Sequence, residues 1–173
     1  MSNQSNISPA MRDAVGGELS RSVSYPVSAA DIRRWAIAVY YPQEPPALFW
    51  DAEYAATTRF GGIVAPEDFN PFAWMSAQPR GIARQAEQAA PDRIEDALGI
   101  PGPGLAHQLN GGLSTEYGVR IRCGDVITSV SRLGGYDEHE GRLGLMLFTV
   151  TETTWTNQDD AIVKLNRMTL IRY

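Results

Sequence analysis

The chain has 173 residues, enough for one domain with a sizeable core and too few for two ordinary domains. Its 43% share of hydrophobic residues is typical of a globular protein. A net charge of −5, with no basic run longer than two residues, argues against nucleic-acid binding. The single cysteine, Cys123, cannot form an internal disulfide, so we expect a reducing, cytoplasmic location. No window is apolar enough to span a bilayer, and we expect no membrane attachment.

The first elements follow from local patterns. Residues 1–18 carry neither a basic nor an apolar signal region, and we expect a flexible tail. Partial alternation of polar and apolar residues over 20–27 predicts a strand, which Pro26 places at a sheet edge or at the strand end. Ser28 is a candidate N-cap for a helix over 29–40. The apolar residues at helical spacing in this helix are Ile32, Trp35, Ala36 and Val39.

The middle of the chain is predicted to hold a short helix over 52–56, a turn over 59–62 and a buried central helix over 66–77. Pro66 suits the first turn of the central helix, and the two acidic residues after it suit the helix dipole. The apolar composition of this segment indicates that the helix lies in the core.

A long connection, residues 78–105, follows the predicted central helix. It is rich in Pro, Gly, Ala and charged residues, and it contains a possible short helix over 82–89. Connections of this length in compact domains are often functional.

The last third of the chain reads as β structure. Four segments rich in Val, Ile, Thr, Leu and aromatic residues predict strands, and turn-forming residues separate them. The predicted strands are 112–121, 126–133, 142–154 and 161–172, with breaks at 123–125, 134–141 and 157–160. Consecutive strands with short turns predict an antiparallel meander. With the N-terminal strand, we predict an α+β domain over residues 19–173, with five strands around one long helix.

Ordered pieces of the sequence resemble the MaoC-like dehydratases, specifically the N-terminal, non-catalytic type of domain. The resemblance covers residues 18–173. The pieces that carry it are 32–38 (IRRWAIA), 48–55 (LFWDAEYA), 59–66 (RFGGIVAP), 109–112 (LNGG), 116–117 (EY), 124–128 (GDVIT), 141–144 (GRLG) and 151–158 (TETTWTNQ).

The resemblance implies a hot-dog fold, in which a curved antiparallel sheet wraps a central helix. Such domains usually pair. Their substrates are acyl thioesters of CoA or of carrier protein, and water adds reversibly across a 2-enoyl thioester to give a 3-hydroxyacyl thioester. The resemblance implies no cofactor beyond the CoA thioester that serves as substrate.

The residues that would do this chemistry in active relatives are replaced here. Active members carry an Asp and a His in an Asp-x-Asn-Pro-x-His stretch, and alignment places Tyr41 and Phe49 at those two positions. Neither side chain can act as a base near neutral pH. Active relatives also carry Ala-His-Gly where this chain has Ala65, Pro66 and Glu67. Pro66 lacks an N–H, and Glu67 would place a carboxylate near a developing negative charge.

The resemblance therefore implies a degenerate hot-dog subunit that shapes the acyl pocket of a catalytic MaoC-like partner. It extends to the non-catalytic subunits of mycolic-acid dehydratases and of steroid side-chain hydratases, and it leaves the acyl group undefined. The residues expected to bind substrate are Gly62, Ile63, Ala65, Pro66, Phe69, Trp74, Asn110 and Gly111.

Several of these residues also have a purely structural interpretation. Asn110 would either bind the thioester or cap a turn. Gly61 and Gly62 would form a tight turn that needs positive φ. The apolar residues of the central helix would fill the core or line an acyl tunnel. These residues are Phe69, Phe72, Trp74 and Met75.

The remaining polar candidates have open roles. Arg120 and Arg122, with arginines near the C-terminus, would contact CoA phosphates or lie on a solvated strand face. His139 is expected in an exposed hairpin turn. The two distant histidines and one cysteine form no metal-binding spacing.

Two other functions remain open. The chain would be a self-sufficient homodimeric (R)-specific enoyl-CoA hydratase that uses Glu44, Asp51 or His107, or a non-enzymatic acyl-CoA binding protein. Segment 142–154 is apolar on both faces for part of its length, which is typical of a strand covered on both sides. We therefore expect a homodimer when the chain is alone and a heterodimer when a catalytic hot-dog partner is present.

Overall fold

The computed structural model describes residues 5–73 and 91–173. Five antiparallel strands form one sheet in the order β1-β3-β4-β5-β2. The strands are β1 (Glu18–Val23), β2 (Gln108–Tyr117), β3 (Thr128–Gly141), β4 (Gly144–Thr156) and β5 (Ile162–Arg172). The predicted α+β class and the number of strands are confirmed.

Within residues 5–73 and 91–173, four α-helices and one 3₁₀ helix accompany the sheet. They are α1 (Pro9–Asp13), α2 (Ala29–Tyr40), the 3₁₀ helix (Ala47–Phe49), α3 (Ala52–Thr57) and α4 (Arg93–Ala97). The predicted bounds of α2 are confirmed, and the Ser28 hydroxyl accepts the Asp31 N–H at 3.1 Å as an N-cap. Helix α4 was not predicted, and the possible helix over 82–89 lies outside the described residues. None of the helices in the described ranges is long and apolar enough to cross a membrane.

The strand order differs from the predicted meander. Only β3, β4 and β5 follow one another as neighbours, whereas β2 pairs with β5 and β1 pairs with β3. Between β2 and β3 the chain therefore crosses from the sheet edge formed by β2 to the position beside β1 at the far side. Proximity in sequence predicts pairing of β2 with β3, but in the structure β4 and β5 lie between them.

The glycine-rich segment 134–141 was predicted as a break between strands, and this prediction is wrong. Strand β3 runs through it to Gly141 and pairs with β4 along its length. A bulge between Leu133 and Gly135 accommodates the glycine pair without ending the strand. The hairpin turn lies instead at residues 142–143.

The predicted central helix over 66–77 is also wrong over its described part. Residues 66–73 form successive turns, in which the Phe69 N–H donates to the Pro66 carbonyl at 3.0 Å. The physical reason is Pro71, which has no N–H to donate and would clash with the preceding turn of an α-helix. The Asn70 side chain accepts the Phe72 N–H at 2.9 Å, a local alternative to helical bonding. Residues 74–77 lie outside the described part of the chain.

The main core joins α2 to one end of the sheet. Ile32 and Ala36 on α2 are fully buried and pack against residues from the turns and from the strand ends. The other buried members of this cluster are Val27, Phe49, Val64, Ala65, Phe69, Ile121, Ile127 and Val163.

The N-terminal segment is not a free tail over its whole length. Met11 on α1 is 1% exposed, and the Gly16 N–H donates to the Leu133 carbonyl at 2.8 Å. The segment therefore packs onto the sheet before β1 begins, because Met11 provides an apolar anchor.

A buried ion pair holds α4 against the sheet. Arg172 on β5 and Glu95 on α4 are both 0% exposed, and two parallel hydrogen bonds of 2.8 and 2.7 Å join them. The Tyr136 hydroxyl donates to Glu95 at 2.7 Å, and Arg172 donates to the Thr149 hydroxyl at 2.8 Å. We call the sheet face that carries Thr149 and Arg172 the inner face. Helix α4 covers part of it.

Candidate functional site

The two positions aligned with the catalytic pair hold side chains that play structural roles. Phe49 is 6% exposed and belongs to the main core, with its ring 5.9 Å from that of Tyr40. Tyr41 caps the end of α2 and is 81% exposed. Position 49 is therefore surrounded by core side chains, and position 41 is surrounded by solvent.

The segment aligned with the oxyanion site is tied into the fold. The Ala65 N–H donates to the Ile121 carbonyl at 2.8 Å, and the Ala65 carbonyl accepts from the Arg120 guanidinium at 3.3 Å. Pro66 has no N–H, and Glu67 forms an ion pair of 2.8 Å with Arg120. No backbone donor of Ala65 or Pro66 is therefore free to hold a thioester oxygen in this conformation.

Other predicted substrate-binding residues gather near this segment. Ile63 packs against the main core, and Phe69 is 1% exposed, with its ring 5.7 Å from that of Trp35. Gly61 has φ +66 and closes a tight turn next to Gly62, as the turn interpretation predicts. Trp74 lies outside the described residues.

Asn110 and Gly111 lie elsewhere. They occupy the start of β2, whereas Tyr117 at its end is hydrogen-bonded to Asp68, beside the Pro66 segment. The Asn110 side chain accepts the Gly112 N–H at 2.9 Å at a β-bulge, which favours the turn-capping interpretation. Within one chain, the predicted binding residues thus form two separate groups. Their role in substrate binding stays a prediction.

A polar cluster that sequence reasoning missed lies next to the Pro66 segment. Lys164 on β5 is 7% exposed, and its amine lies 5.1 Å from the Tyr117 ring and 4.6 Å from the Trp155 ring. Burial lowers the pKa of Lys164, although the Asp68 charge opposes the shift. The hydrogen bond to Asp68 raises the pKa of Tyr117 to about 12. The register of β5 against β2 and β4 places Lys164 beside Tyr117 and Trp155, which are distant in sequence, so no local motif predicts the cluster.

An open groove next to this cluster is lined by three arginines. Arg120 and Arg122 lie beyond the end of β2 and share a groove of about 330 Å³ with Arg59. Arg59 lies over the Phe60 ring at 4.8 Å. The two C-terminal arginines considered with them serve elsewhere, because Arg172 is buried against Glu95 and Arg167 pairs with Glu152 at 2.8 Å.

The residues considered for an unorthodox active site are dispersed. Asp51 caps α3 by accepting the N–H groups of Glu53 and Tyr54, both at 3.0 Å. His107 is exposed and stacks on Tyr173, with ring centroids 5.2 Å apart. Glu44 is exposed as well. Over residues 5–73 and 91–173, no group of His, Cys, Asp and Glu side chains could hold a metal ion.

Several solved structures with a similar fold are described as hydratases or dehydratases. The ChsH1-ChsH2 complex from Mycobacterium tuberculosis matches with a TM-score of 0.64 at 16% identity, over 95% of this chain and 87% of that chain. The HadBC 3R-hydroxyacyl-ACP dehydratase complex from the same organism matches at 0.56 and 18% identity, over 91% and 97%. The R-hydratase PhaJ1 from Pseudomonas aeruginosa matches at 0.54 and 18%, over 91% and 81%. No curated protein sequence matches the chain.

The open, curved five-stranded sheet and these likenesses define a hot-dog fold of the MaoC-like dehydratase class. The model of the FAS1-like dehydratase domain region matches residues 13–166, and the chain belongs to that family. The resemblance to MaoC-like dehydratases read from the sequence is thereby confirmed, and the non-catalytic type stays a prediction.

Proposed function

We propose that the chain is a non-catalytic subunit of an enoyl-CoA hydratase or 3-hydroxyacyl-CoA dehydratase. A catalytic hot-dog partner would supply the Asp and His, and this chain would shape the acyl pocket. The observation that carries the proposal is the state of the aligned catalytic region. Phe49 is buried in the core, Tyr41 is solvent-exposed, and the Ala65 N–H is bonded to Ile121.

The edges of the sheet support pairing with a second hot-dog domain. Strand β2 is an edge strand of 10 residues, and almost all of it is exposed. The other edge, β1, has 6 residues and carries the Glu18–Arg21 ion pair. Long edges with little charge favour pairing, whereas short, charged edges discourage it. We therefore assign the partner to β2. ChsH1-ChsH2 and HadBC are complexes of named components, which fits such an arrangement.

Acyl-CoA is the proposed substrate of the assembled enzyme, and the arginine groove is a candidate contact for its phosphates. The exposed, lone Cys123 supports the proposal of a reducing, cytoplasmic location. Both proposals depend on the family assignment and on the chemistry of these residues.

Reconstitution tests the proposed role. The purified chain is mixed with a MaoC-like subunit that retains the Asp/His pair but is inactive or weakly active alone, and hydration of crotonyl-CoA and of a longer enoyl-CoA is followed. We expect a stable complex with hydration above that of either component. Complex formation without any gain in turnover, or no complex with any such subunit, would contradict the proposal. CoA-thioester binding without turnover in any mixture would favour the non-enzymatic binder.

A further inference from the structure

The inner face of the sheet carries a row of polar side chains that crosses all five strands. Register partners align one hydroxyl or amide residue from each strand at the same level. The row consists of Ser20, Ser131, Thr153, Asn166 and Thr115. Ser20 is exposed and the other four residues are half-buried, so the row lies on a part of the inner face that α4 leaves open to a ligand.

A cavity of about 260 Å³ opens over this row. Its floor includes Thr151 as well as the central members of the row, and its walls are apolar. Helix α4 contributes Ile94 and Ala97 to one wall, and Arg93 lies at the exposed rim. The remaining apolar lining residues are Leu19, Leu113 and Met168.

The polar row keeps hydrogen-bonding capacity for a ligand. The Thr115 hydroxyl donates to the Asn166 carbonyl oxygen at 2.9 Å, and the Thr153 hydroxyl donates to Ser131 at 3.2 Å. These bonds leave the two N–H donors of the Asn166 amide unused among the described residues. Thr151 is 8% exposed and lines the cavity, and its hydroxyl makes no hydrogen bond to any residue within 5–73 or 91–173.

The cavity is held open by the buried ion pair. Glu95, next to the wall residue Ile94 on α4, is bonded to Arg172 on β5, so the ion pair fixes α4 at a set position over the inner face. Because neither charge can leave its partner without a large desolvation penalty, α4 does not collapse easily onto the polar row. The site is therefore formed before any ligand arrives.

We propose that this cavity binds a compact, mostly apolar acyl group that carries a hydroxyl or keto oxygen away from its thioester. The proposal rests on the proposed role of the chain in shaping an acyl pocket. The apolar walls take the hydrocarbon body, and Asn166 and Thr151 donate to the oxygen. The rim residue Arg93 lies where the acidic or thioester end would leave the cavity.

A plain hydrocarbon chain fits this lining poorly. It would remove water from Asn166 and Thr151 and return no hydrogen bond, which carries a penalty for each polar group buried. A ligand with an oxygen beside Asn166 and Thr151 is therefore favoured, because it can accept hydrogen bonds from these two side chains.

The test uses two matched probes, 6-oxodecalin-2-carboxylate and decalin-2-carboxylate, titrated into the full chain labelled with ¹⁵N. We expect the oxo probe to bind about fivefold more tightly, as one gained hydrogen bond implies, and to shift the amide signals around Thr151 and Asn166. Thr151→Val, which keeps the side-chain shape, should remove most of that preference. Asn166→Asp, which replaces the two N–H donors by a carboxylate oxygen, is a second variant that should also remove the preference, in case Thr151→Val unfolds the chain.

Thr154→Val is the matched control, because Thr154 lies on the same strand with its side chain on the opposite face. It should leave both affinities unchanged. Equal binding of the two probes, no binding of either, or shifts confined to another region would overturn the proposal. Oxygen-selective binding together with failed reconstitution would overturn the proposed function and leave this site standing. Successful reconstitution without oxygen-selective binding would overturn the proposed site and leave the proposed function standing.

Discussion

Arg172 is the largest side chain that the described part of the chain buries completely, and its environment explains how a charge is tolerated there. Glu95 offsets the charge with two parallel hydrogen bonds, and Thr149 and the Pro91 carbonyl accept two more. This cluster connects a five-residue helix, too short to be stable by itself, to the middle of the sheet.

Removing one partner of this pair should be far more damaging than removing both. Arg172→Met leaves the Glu95 carboxylate buried without its cation, and we expect a loss of about 3–5 kcal/mol in the free energy of unfolding. The double variant Glu95→Gln/Arg172→Met should lose clearly less. Urea unfolding measures both values. A double variant that is at least as unstable as the single one would contradict the interpretation.

The same pair predicts an acid dependence. Burial alone would raise the pKa of Glu95, but the hydrogen bonds from Arg172 and Tyr136 and the Arg172 charge outweigh it, and the pKa lies below its ordinary value of 4.5. The pair therefore stabilises the fold above that value, and the stabilisation is lost as the pH falls through the lowered pKa. We expect the stability difference between the native chain and Glu95→Gln/Arg172→Met to narrow as the pH falls below 4.5. A difference that stays constant would show that Glu95 does not titrate as described.

Restoring the aligned catalytic pair should not restore catalysis. In Tyr41→Asp/Phe49→His, position 49 still lies in the core, Pro66 still lacks an N–H, and the Ala65 N–H still donates to Ile121. We expect no hydration of crotonyl-CoA above the native chain, with thermal unfolding used to confirm that the variant is folded. Substantial turnover would mean that these other departures from active relatives matter little.

At the scale of elements, local signals predicted what local forces determine. The bounds of α2 follow from the Ser28 cap and from the spacing of its apolar residues, and both act within a few residues. The predicted central helix fails over residues 66–73, where Pro71 outweighs an apolar composition. The glycines of segment 134–141 predicted the end of a strand, but the pairing of β3 with β4 continues past Gly134 and Gly135.

The candidate site was less predictable, because it depends on contacts between distant segments. The Glu95–Arg172 pair and the Tyr117–Lys164 contact each join residues far apart in sequence. One signal was visible beforehand. Thr149, Thr151 and Thr153 alternate along β4, so one face of this strand carries hydroxyls. The expectation that the segment is apolar on both faces overlooked that alternation.

Edge strand β2 makes a specific prediction about assembly. The native chain alone should form a homodimer, with about twice the chain mass of 19.0 kDa in light scattering. Ser114→Glu adds a negative charge to this edge, next to Arg167 of β5, so the single chain should tolerate it while two copies repel each other. We expect the dimer to weaken at least about tenfold.

Thr57→Glu is the matched control, because it adds the same charge to an exposed position on α3, away from both sheet edges. It should leave the dimer intact. A native chain that is monomeric at micromolar concentration would refute the pairing argument. Equal weakening by both variants would indicate a general charge effect.

At the scale of the whole molecule, the chain has the sheet of a dehydratase domain, and we propose that it lacks the catalytic pair of active relatives. The five strands, the edge available for pairing and the cavity on the inner face are the parts that a pocket-forming subunit needs. The family assignment and the shared fold show a dehydratase-type hot-dog domain, and the division of labour with a catalytic partner is our proposal.

The most direct test of this account is a steady-state hydration assay of the purified chain alone, with crotonyl-CoA and a longer 2-enoyl-CoA as substrates. The account predicts no turnover above the uncatalysed rate, because no base is present at the Tyr41 and Phe49 positions and no free backbone donor at Ala65 or Pro66. A kcat of about 1 per second or more, the ordinary range for enzymes, would contradict it and identify the chain as a self-sufficient hydratase.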